Sequence, residues 1–400
     1  MPTQWSAAIR RLWVHPVIWM ILIVSLVYGG FIYRYSLNFG KNLSGLICLG
    51  DRFMPAERVP SGTFVLPQSV GYDGTFFYMM AFDPLIRGDM QAFMDEPAYR
   101  YQRIGYPALV WLVALGQPAR FASAMVAVNL LAVLAGMLGV ASLCRHRQCS
   151  QWVALFYGML SGLAIGIFRD LAGPTAMAWL VWAVVAFMTK RYWLTAALMT
   201  AAILSREILV VMLPVFCFDA MVLNRDWRRG WVPGLALLPA LGWQLYVTRR
   251  IGEAPWHGGA RNLGRPLHAM VQHAQEVLLS AQHAPAEQVY LALFLSASLS
   301  GLLLALWQAW RRRDAISFGF LGFALMPLFM TRFVWVEPWS YGRVLLPGAV
   351  FVVLSFVWSR NRWHLVPLGI HAALFWVFMD WNRLIWRGHS LIEHIWTRMT

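Results

Sequence analysis

Long apolar runs separated by short polar connectors make up most of the chain. They fall at 15–33, 121–143, 151–168, 171–189, 192–205, 207–223, 231–247, 288–310, 315–331, 343–359 and 364–380. Each reads as a membrane-buried helix, because sustained apolarity without charge is what a bilayer interior selects. The pattern predicts an all-α polytopic membrane protein of about eleven transmembrane helices, a single integral membrane domain over 1–400. Several runs are shorter than the roughly 20 residues that a bilayer core needs, and the short ones end at charged residues. The first run follows a short basic segment, 1–11, and lacks the short core and small-residue cleavage site of a signal peptide. It is therefore expected to remain as an uncleaved helix.

Two long loops interrupt the series, at 34–120 and 248–287. The first holds two apolar pieces too short to span, at 76–80 and 104–115, which read as juxtamembrane helices lying at the membrane surface. In the second, Leu267, Met270, Val271, Ala274, Val277, Leu278 and Ala281 recur at helical spacing over 265–282, which predicts another interfacial helix. No internal repeat stands out.

Composition narrows the class. Charged residues make up 13% and apolar residues 59%, against about 25% and 45–50% in soluble domains. A soluble enzyme, a disordered chain and a coiled coil are excluded. The net charge of +15 divides by side of the membrane. Arg10, Arg11, Arg145, Arg147, Lys190, Arg191, Arg225, Arg228, Arg229, Arg311, Arg312, Arg313, Arg360 and Arg362 all fall at alternate helix ends. By the positive-inside rule these ends and the N-terminus are cytoplasmic. The positive charge is thus topogenic and implies no nucleic acid. The four cysteines are too scattered for a disulfide framework.

The remaining charges collect at the opposite, outer helix ends. They are Asp73, Asp83, Arg100, Arg103, Arg169, Asp170, Arg206, Glu207, Arg332, Glu337 and Arg343. Charge at membrane depth is costly and marks function by default. Guanidinium groups there suit phosphate, as permanently charged bidentate donors. A carboxylate beside them can deprotonate an acceptor hydroxyl. Both together suit a lipid-phosphate donor and a polar acceptor. No Gly-rich phosphate loop offers a site for a nucleotide sugar.

The runs Gly71-Tyr72-Asp73-Gly74-Thr75-Phe76-Phe77-Tyr78, Asp83-Pro84 and Tyr99-Arg100-Tyr101-Gln102-Arg103-Ile104-Gly105-Tyr106-Pro107 resemble a family of bacterial multi-pass proteins of cell-surface glycopolymer formation. Phe168-Arg169-Asp170-Leu171 and Ser205-Arg206-Glu207 fit the same pattern. The resemblance spans roughly 70–350 and extends more loosely to the GT-C membrane glycosyltransferases of PIG-V type. It implies a GT-C-like fold in a bacterial inner membrane with an extracytoplasmic active face. It implies a polyprenyl-phosphate-linked sugar as donor and a glycan or glycolipid as acceptor. In GT-C enzymes an acid of the first outer loop is commonly the base or a metal ligand. That role would fall on Asp73, with Asp170 as a second catalytic acid. Arg103, Arg169, Arg206, Glu207, Arg343, Tyr72, Tyr101 and Asp83 would bind substrate or its phosphate. The chain departs from the pattern at Thr75, where an amide is expected, and at Gly173, where an acid is expected. No cofactor is specified, and a divalent cation is left open.

Each candidate also has a plainer reading. Asp73 suits a helix N-cap, Asp83 before Pro84 a turn, and Arg103 a snorkelling surface residue. Arg169 with Asp170 suits a structural ion pair, and Arg343 a lipid-headgroup contact. Cys144 and Cys149 with His146 lack a fourth metal ligand. The histidines of 248–287 lack metalloprotease spacing, and no Ser-His-Asp constellation is evident. Beside a transferase, three readings compete: a transporter or flippase of lipid-linked saccharides, a polysaccharide polymerase or ligase, and a non-catalytic partner.

Overall fold

The computed structural model describes residues 16–382 and Thr397. The basic segment with Arg10 and Arg11, and His15 at the head of the first apolar run, lie outside the described residues. Among the described residues the regular elements are helical, with two isolated backbone bridges, Gly50 to Leu66 and Leu263 to Met330. The α-helices are α1 (Pro16–Ser36), α2 (Asp73–Phe82), α3 (Pro97–Tyr101), α4 (Gly105–Val113), α5 (Phe121–His146), α6 (Ala154–Gly158), α7 (Ser161–Phe168), α8 (Gly173–Met188), α9 (Tyr192–Ser205) and α10 (Met212–Phe218). They continue as α11 (Leu237–Ile251), α12 (Trp256–Ala260), α13 (His268–Leu278), α14 (Pro285–Arg312), α15 (Ala315–Phe329), α16 (Pro338–Val344), α17 (Leu346–Ser359) and α18 (Leu365–Trp381).

Among the described residues four helical stretches are long and apolar enough to cross a membrane: Pro16–Phe39, Pro118–His146, Pro285–Arg312 and Arg362–Trp381. Two bent pairs raise the number to six, Gln151–Gly158 with Ser161–Phe168 at 49° and Pro338–Val344 with Leu346–Ser359 at 47°. These helices fit a helical membrane protein. They do not reach the expected count of about eleven. An apolar run reports burial, and α8 is buried mainly by its own neighbours: twelve of its 16 residues are covered. The predicted 207–223 helix is three pieces, a 3-10 turn (Glu207–Val211), α10 and a π turn (Asp219–Leu223). The predicted 231–247 helix opens with a 3-10 turn (Val232–Ala236) before α11.

The loop helices divide in the same way. α2 does not lie on a surface: Gly74 to Ala81 are all buried. A helix apolar all round belongs in a core, and a five-residue apolar run could not reveal which kind it was. α4 keeps Trp111, Leu112 and Val113 exposed, as an interfacial helix would. α13 buries Ala269, His273 and Val277 while Leu267, Val271 and Leu278 face outward.

Helix ends gather at two levels. At one, Arg147 donates to the Trp358 carbonyl (3.2 Å), Trp358 Nε1 donates to Asp314 (2.7 Å), and Asp219 accepts from the Ala315 amide (2.5 Å). The basic connectors at 145–147, 311–313 and 358–362 belong to this level. α15 starts here and ends beside Met330, while α17 runs back from Leu346, just after Val344, to Ser359. Fifteen residues of α15 separate the levels by about 22 Å at 1.5 Å per residue. Met330 and Val344 line the cavity at the second level.

Candidate functional site

The cavity begins with a tight backbone contact. Gly71 has φ of +70°, a conformation that side chains with a Cβ rarely adopt. A Cβ on Gly74 would lie 2.4 Å from the carbonyl oxygens of both Arg169 and Ile47. The two glycines let the start of α2 press against the chain at 47 and the end of α7. Asp73 is thereby fixed as the first residue of α2, not its N-cap, a position held by Tyr72.

The Asp73 side chain turns to arginine instead of to backbone amides. Oδ1 accepts from Arg100 Nη1 (3.0 Å), and Oδ2 accepts from Arg343 Nη1. Burial alone would raise this carboxyl, but Arg343 and Arg100, with Arg103 behind them, hold it below the usual carboxylate range. Arg100 also donates from Nε and Nη2 to Asp95 (3.0 and 2.8 Å) and lies 4.0 Å above the Phe76 ring. Arg103 forms a two-point pair with Glu207, 2.7 Å from Nε and 2.6 Å from Nη2, and donates to the Tyr99 hydroxyl at 2.5 Å. Arg206 donates to the carbonyls of Arg343 (2.9 Å) and Val344 (3.2 Å). A cation is favourable at these carbonyls, which close the C-terminal end of α16, and it fixes the backbone that carries Arg343.

These groups line one part of a cavity of about 430 Å³. Four guanidinium groups (Arg100, Arg103, Arg206, Arg343) share it with two carboxylates (Asp73, Glu207), leaving an excess of positive charge. Arg343 Nε is buried without a partner. Another part of the lining is apolar: Leu263, Met326, Met330, Phe333 and Val334. Phe333 is 69% exposed and Leu263 58%, so the apolar part reaches the surface. The second long loop closes over the cavity. Asn262 donates to the Tyr99 hydroxyl (3.1 Å), and Arg261 pairs with Glu96. Both bent pairs also contribute, through Gly162 and Gly166 of α7 and Arg343 of α16.

Of the residues singled out in the sequence, Asp73, Arg103, Arg206, Glu207 and Arg343 meet in this lining. Five do not. Tyr72 supports it from behind, its ring 4.9 Å from the Arg343 guanidinium and 5.7 Å from that of Arg169. Arg169 is held by aromatic groups: it lies 3.6 Å from the Trp339 ring and donates to the Tyr35 hydroxyl (2.5 Å) and the Phe168 carbonyl (3.1 Å). That ties α1, α7 and α16 together. Asp83 accepts from the amides of Arg87 and Gly88 (both 2.8 Å), and Tyr101 donates to the Asp83 carbonyl (3.1 Å). These two hold the turn after α2.

Asp170 does not pair with Arg169. It is fully buried with φ of +45°, and both carboxyl oxygens are unpartnered. The nearby Asn129 amide donates instead to the Tyr106 hydroxyl (2.9 Å) and the Gly166 carbonyl (3.3 Å). Burial raises its carboxyl well above the usual range, which favours the neutral acid. Among the described residues no group of three or more His, Cys, Asp or Glu could hold a metal ion.

Arg100, Tyr99 and Asn262 complete the site without having been assigned roles from the sequence. Arg100 and Tyr99 share the short α3 segment and its continuation with Arg103, one turn away, which a helical reading of 99–103 would have found. Asn262 carries no local signal. Comparison with protein-family models, curated proteins and solved structures finds no match for this chain.

Proposed function

We propose that the chain is a GT-C-like membrane glycosyltransferase. It moves a sugar from a polyprenyl-phosphate donor to a glycopolymer or glycolipid acceptor on the extracytoplasmic face of a bacterial inner membrane. The observation that carries this reading is the composition of one cavity: excess guanidinium charge, a carboxylate among it, and an apolar lining that opens outward. A phosphate would satisfy the charge, and a lipid chain would cover Met330 and Phe333. In this reading the basic helix ends at 145–147, 311–313 and 358–362 are cytoplasmic, and the GT-C topology is completed by the shorter apolar helices.

The chemistry is an inverting displacement. Asp73 takes the proton of the acceptor hydroxyl, whose oxygen attacks the anomeric carbon. The bond from that carbon to the phosphate oxygen breaks, and the phosphate leaves with the electron pair. Arg103, Arg206 and Arg343 stabilise its charge, a contribution that preorganised donors make best. Glu207 fixes the Arg103 fork.

A second reading has its own observation. Both bent helix pairs border the cavity, and broken helices at a central site are a feature of transporters. One experiment separates the two. The purified protein is placed in nanodiscs with radiolabelled polyprenyl-phosphate sugars and membrane glycolipid acceptors, and in liposomes with fluorescent lipid-linked saccharide. Transfer by wild type and none by Asp73→Asn at equal protein supports the transferase. Full product from Asp73→Asn sinks the base assignment, and lipid flipping without transfer selects the transporter.

A further inference from the structure

Asp73 is engaged by the groups that a substrate phosphate would need. Its two oxygens take Nη1 of Arg100 and Nη1 of Arg343, both in the cavity lining. A carboxylate used as a base needs a free lone pair and an appreciable proton affinity. In this arrangement both oxygens are held by guanidinium groups, and the positive charge lowers their proton affinity. The arginines are not equally committed elsewhere. Arg100 keeps a second carboxylate, Asp95, while Arg343 has Asp73 as its ion-pair partner and an unpartnered Nε.

We propose that Asp73 is a built-in occupant of the phosphate site, and that the phosphate of an amphiphilic ligand displaces it from Arg343 and Arg100. The exchange rests on the phosphate reading of the cavity. It makes the site self-timing. Without phosphate the carboxylate is clamped, neutralises the arginines and is inert. With phosphate bound, the arginines turn to it, Asp73 is released beside the acceptor position, and its proton affinity rises as the guanidinium groups turn away. Two anions thus compete for one pair of guanidinium groups, and the loser becomes the base.

Competition makes a prediction opposite to that for an ordinary ligand-binding residue. Removing the Asp73 charge should strengthen phosphate binding while abolishing transfer. Decyl phosphate and inorganic phosphate would be titrated into full-length protein in nanodiscs, with binding followed by calorimetry and thermal shift. Asp73→Asn is expected to bind decyl phosphate about tenfold tighter than wild type, the factor that about 1.4 kcal/mol of lost competition gives. Arg343→Ala is expected to bind it at least about tenfold more weakly.

If wild type binds and Asp73→Asn binds no tighter, the exchange is wrong and the phosphate site stands. If wild type shows no saturable binding, the phosphate reading itself fails. Inorganic phosphate binding as well as decyl phosphate would overturn the amphiphile and leave the exchange. Should Asp73→Asn fail to fold, infrared difference spectra of wild type labelled with 13C-aspartate replace it. A carboxylate band that shifts on addition of decyl phosphate, and is absent from Asp73→Glu, supports release. An unshifted band overturns it.

Discussion

Arg343 and Asp73, 270 residues apart in the chain, meet as an ion pair through Nη1 and Oδ2. The pair joins the N-terminal end of α2 to the C-terminal half of α16, so it closes the site between the first long loop and the bent pair over 338–359. Both side chains are largely covered, 20% and 18% exposed. Attraction between them is therefore less screened than at a surface, and the loss of one partner strands the other.

Arg343→Ala should cost stability as well as ligand capture. Partial exposure places the loss below that of a fully buried pair, at roughly 1–3 kcal/mol. Arg343→Lys should recover much of the stability but little of the binding, because an ammonium lacks the fork that spans two acceptors. Thermal melts of the two variants, with transfer assays on the same preparations, check this. Equal activity in Arg343→Lys and wild type would remove the fork from the argument.

The sequence pointed to residues that share one cavity more readily than it laid out the scaffold. Asp73, Arg103, Arg206, Glu207 and Arg343 were legible because an ionisable group among apolar residues has few structural excuses. The same rule pointed to Arg169 and Asp170, which lie outside the lining. Arg169 is satisfied by the rings of Trp339, Tyr35 and Tyr72, which no spacing rule reports. Asp170 escapes its cost by staying neutral. The helix count was less legible for a related reason: apolar periodicity does not say whether a residue faces lipid or protein, so α2 read as a surface helix while being core, and nothing in α8 announced that its neighbours cover it.

Arg103 and Glu207 are 104 residues apart and form the best-aligned ion pair in the cavity. Glu207→Gln and Arg103→Lys should each lower the melting temperature, and a double-mutant cycle should give a coupling of about 1–3 kcal/mol. Because Glu207 positions Arg103, its loss should weaken phosphate-lipid binding several-fold through a less fixed fork. Tyr99→Phe removes the acceptor of two hydrogen bonds, from Arg103 and Asn262, and should cost about 1–2 kcal/mol. A coupling near zero would mean that the two side chains act independently.

Asp170→Asn should keep transfer activity and be neutral or stabilising. The native acid has no cation beside it, and the amide has the same shape and tolerates positive φ. The sign with pH follows from the raised carboxyl. Below the ordinary carboxylate range, near pH 4, folded and unfolded chains are both protonated and burial is free of ionic cost. As pH rises, the unfolded chain ionises while the folded one stays neutral, so wild type loses stability until the folded carboxyl ionises too. The variant lacks that decline. Melting curves from pH 4 to 8 should therefore diverge, with the variant increasingly more stable than wild type. A variant that is folded and inactive would return Asp170 to the catalytic set.

Gly74→Ala should be more damaging than the loss of any single charge. The added methyl would sit 2.4 Å from two backbone oxygens, those of Ile47 and Arg169, and neither can rotate away as a side chain would. Either α2 withdraws, carrying Asp73 from Arg100 and Arg343, or the 43–47 turn and the end of α7 move apart. Overpacking of this kind costs typically 1–3 kcal/mol and more where backbone is the obstacle. Gly40→Ala is a useful control: nothing lies within 4 Å of its added Cβ, though its φ of +64° imposes a modest strain. Expression and melting temperature should fall sharply for Gly74→Ala and slightly for Gly40→Ala. If Gly74→Ala melts like wild type yet loses phosphate-lipid binding, α2 can shift without unfolding, and the glycine's role is to aim Asp73. If it keeps both, the close approach of α2 to Arg169 is not what holds the site together.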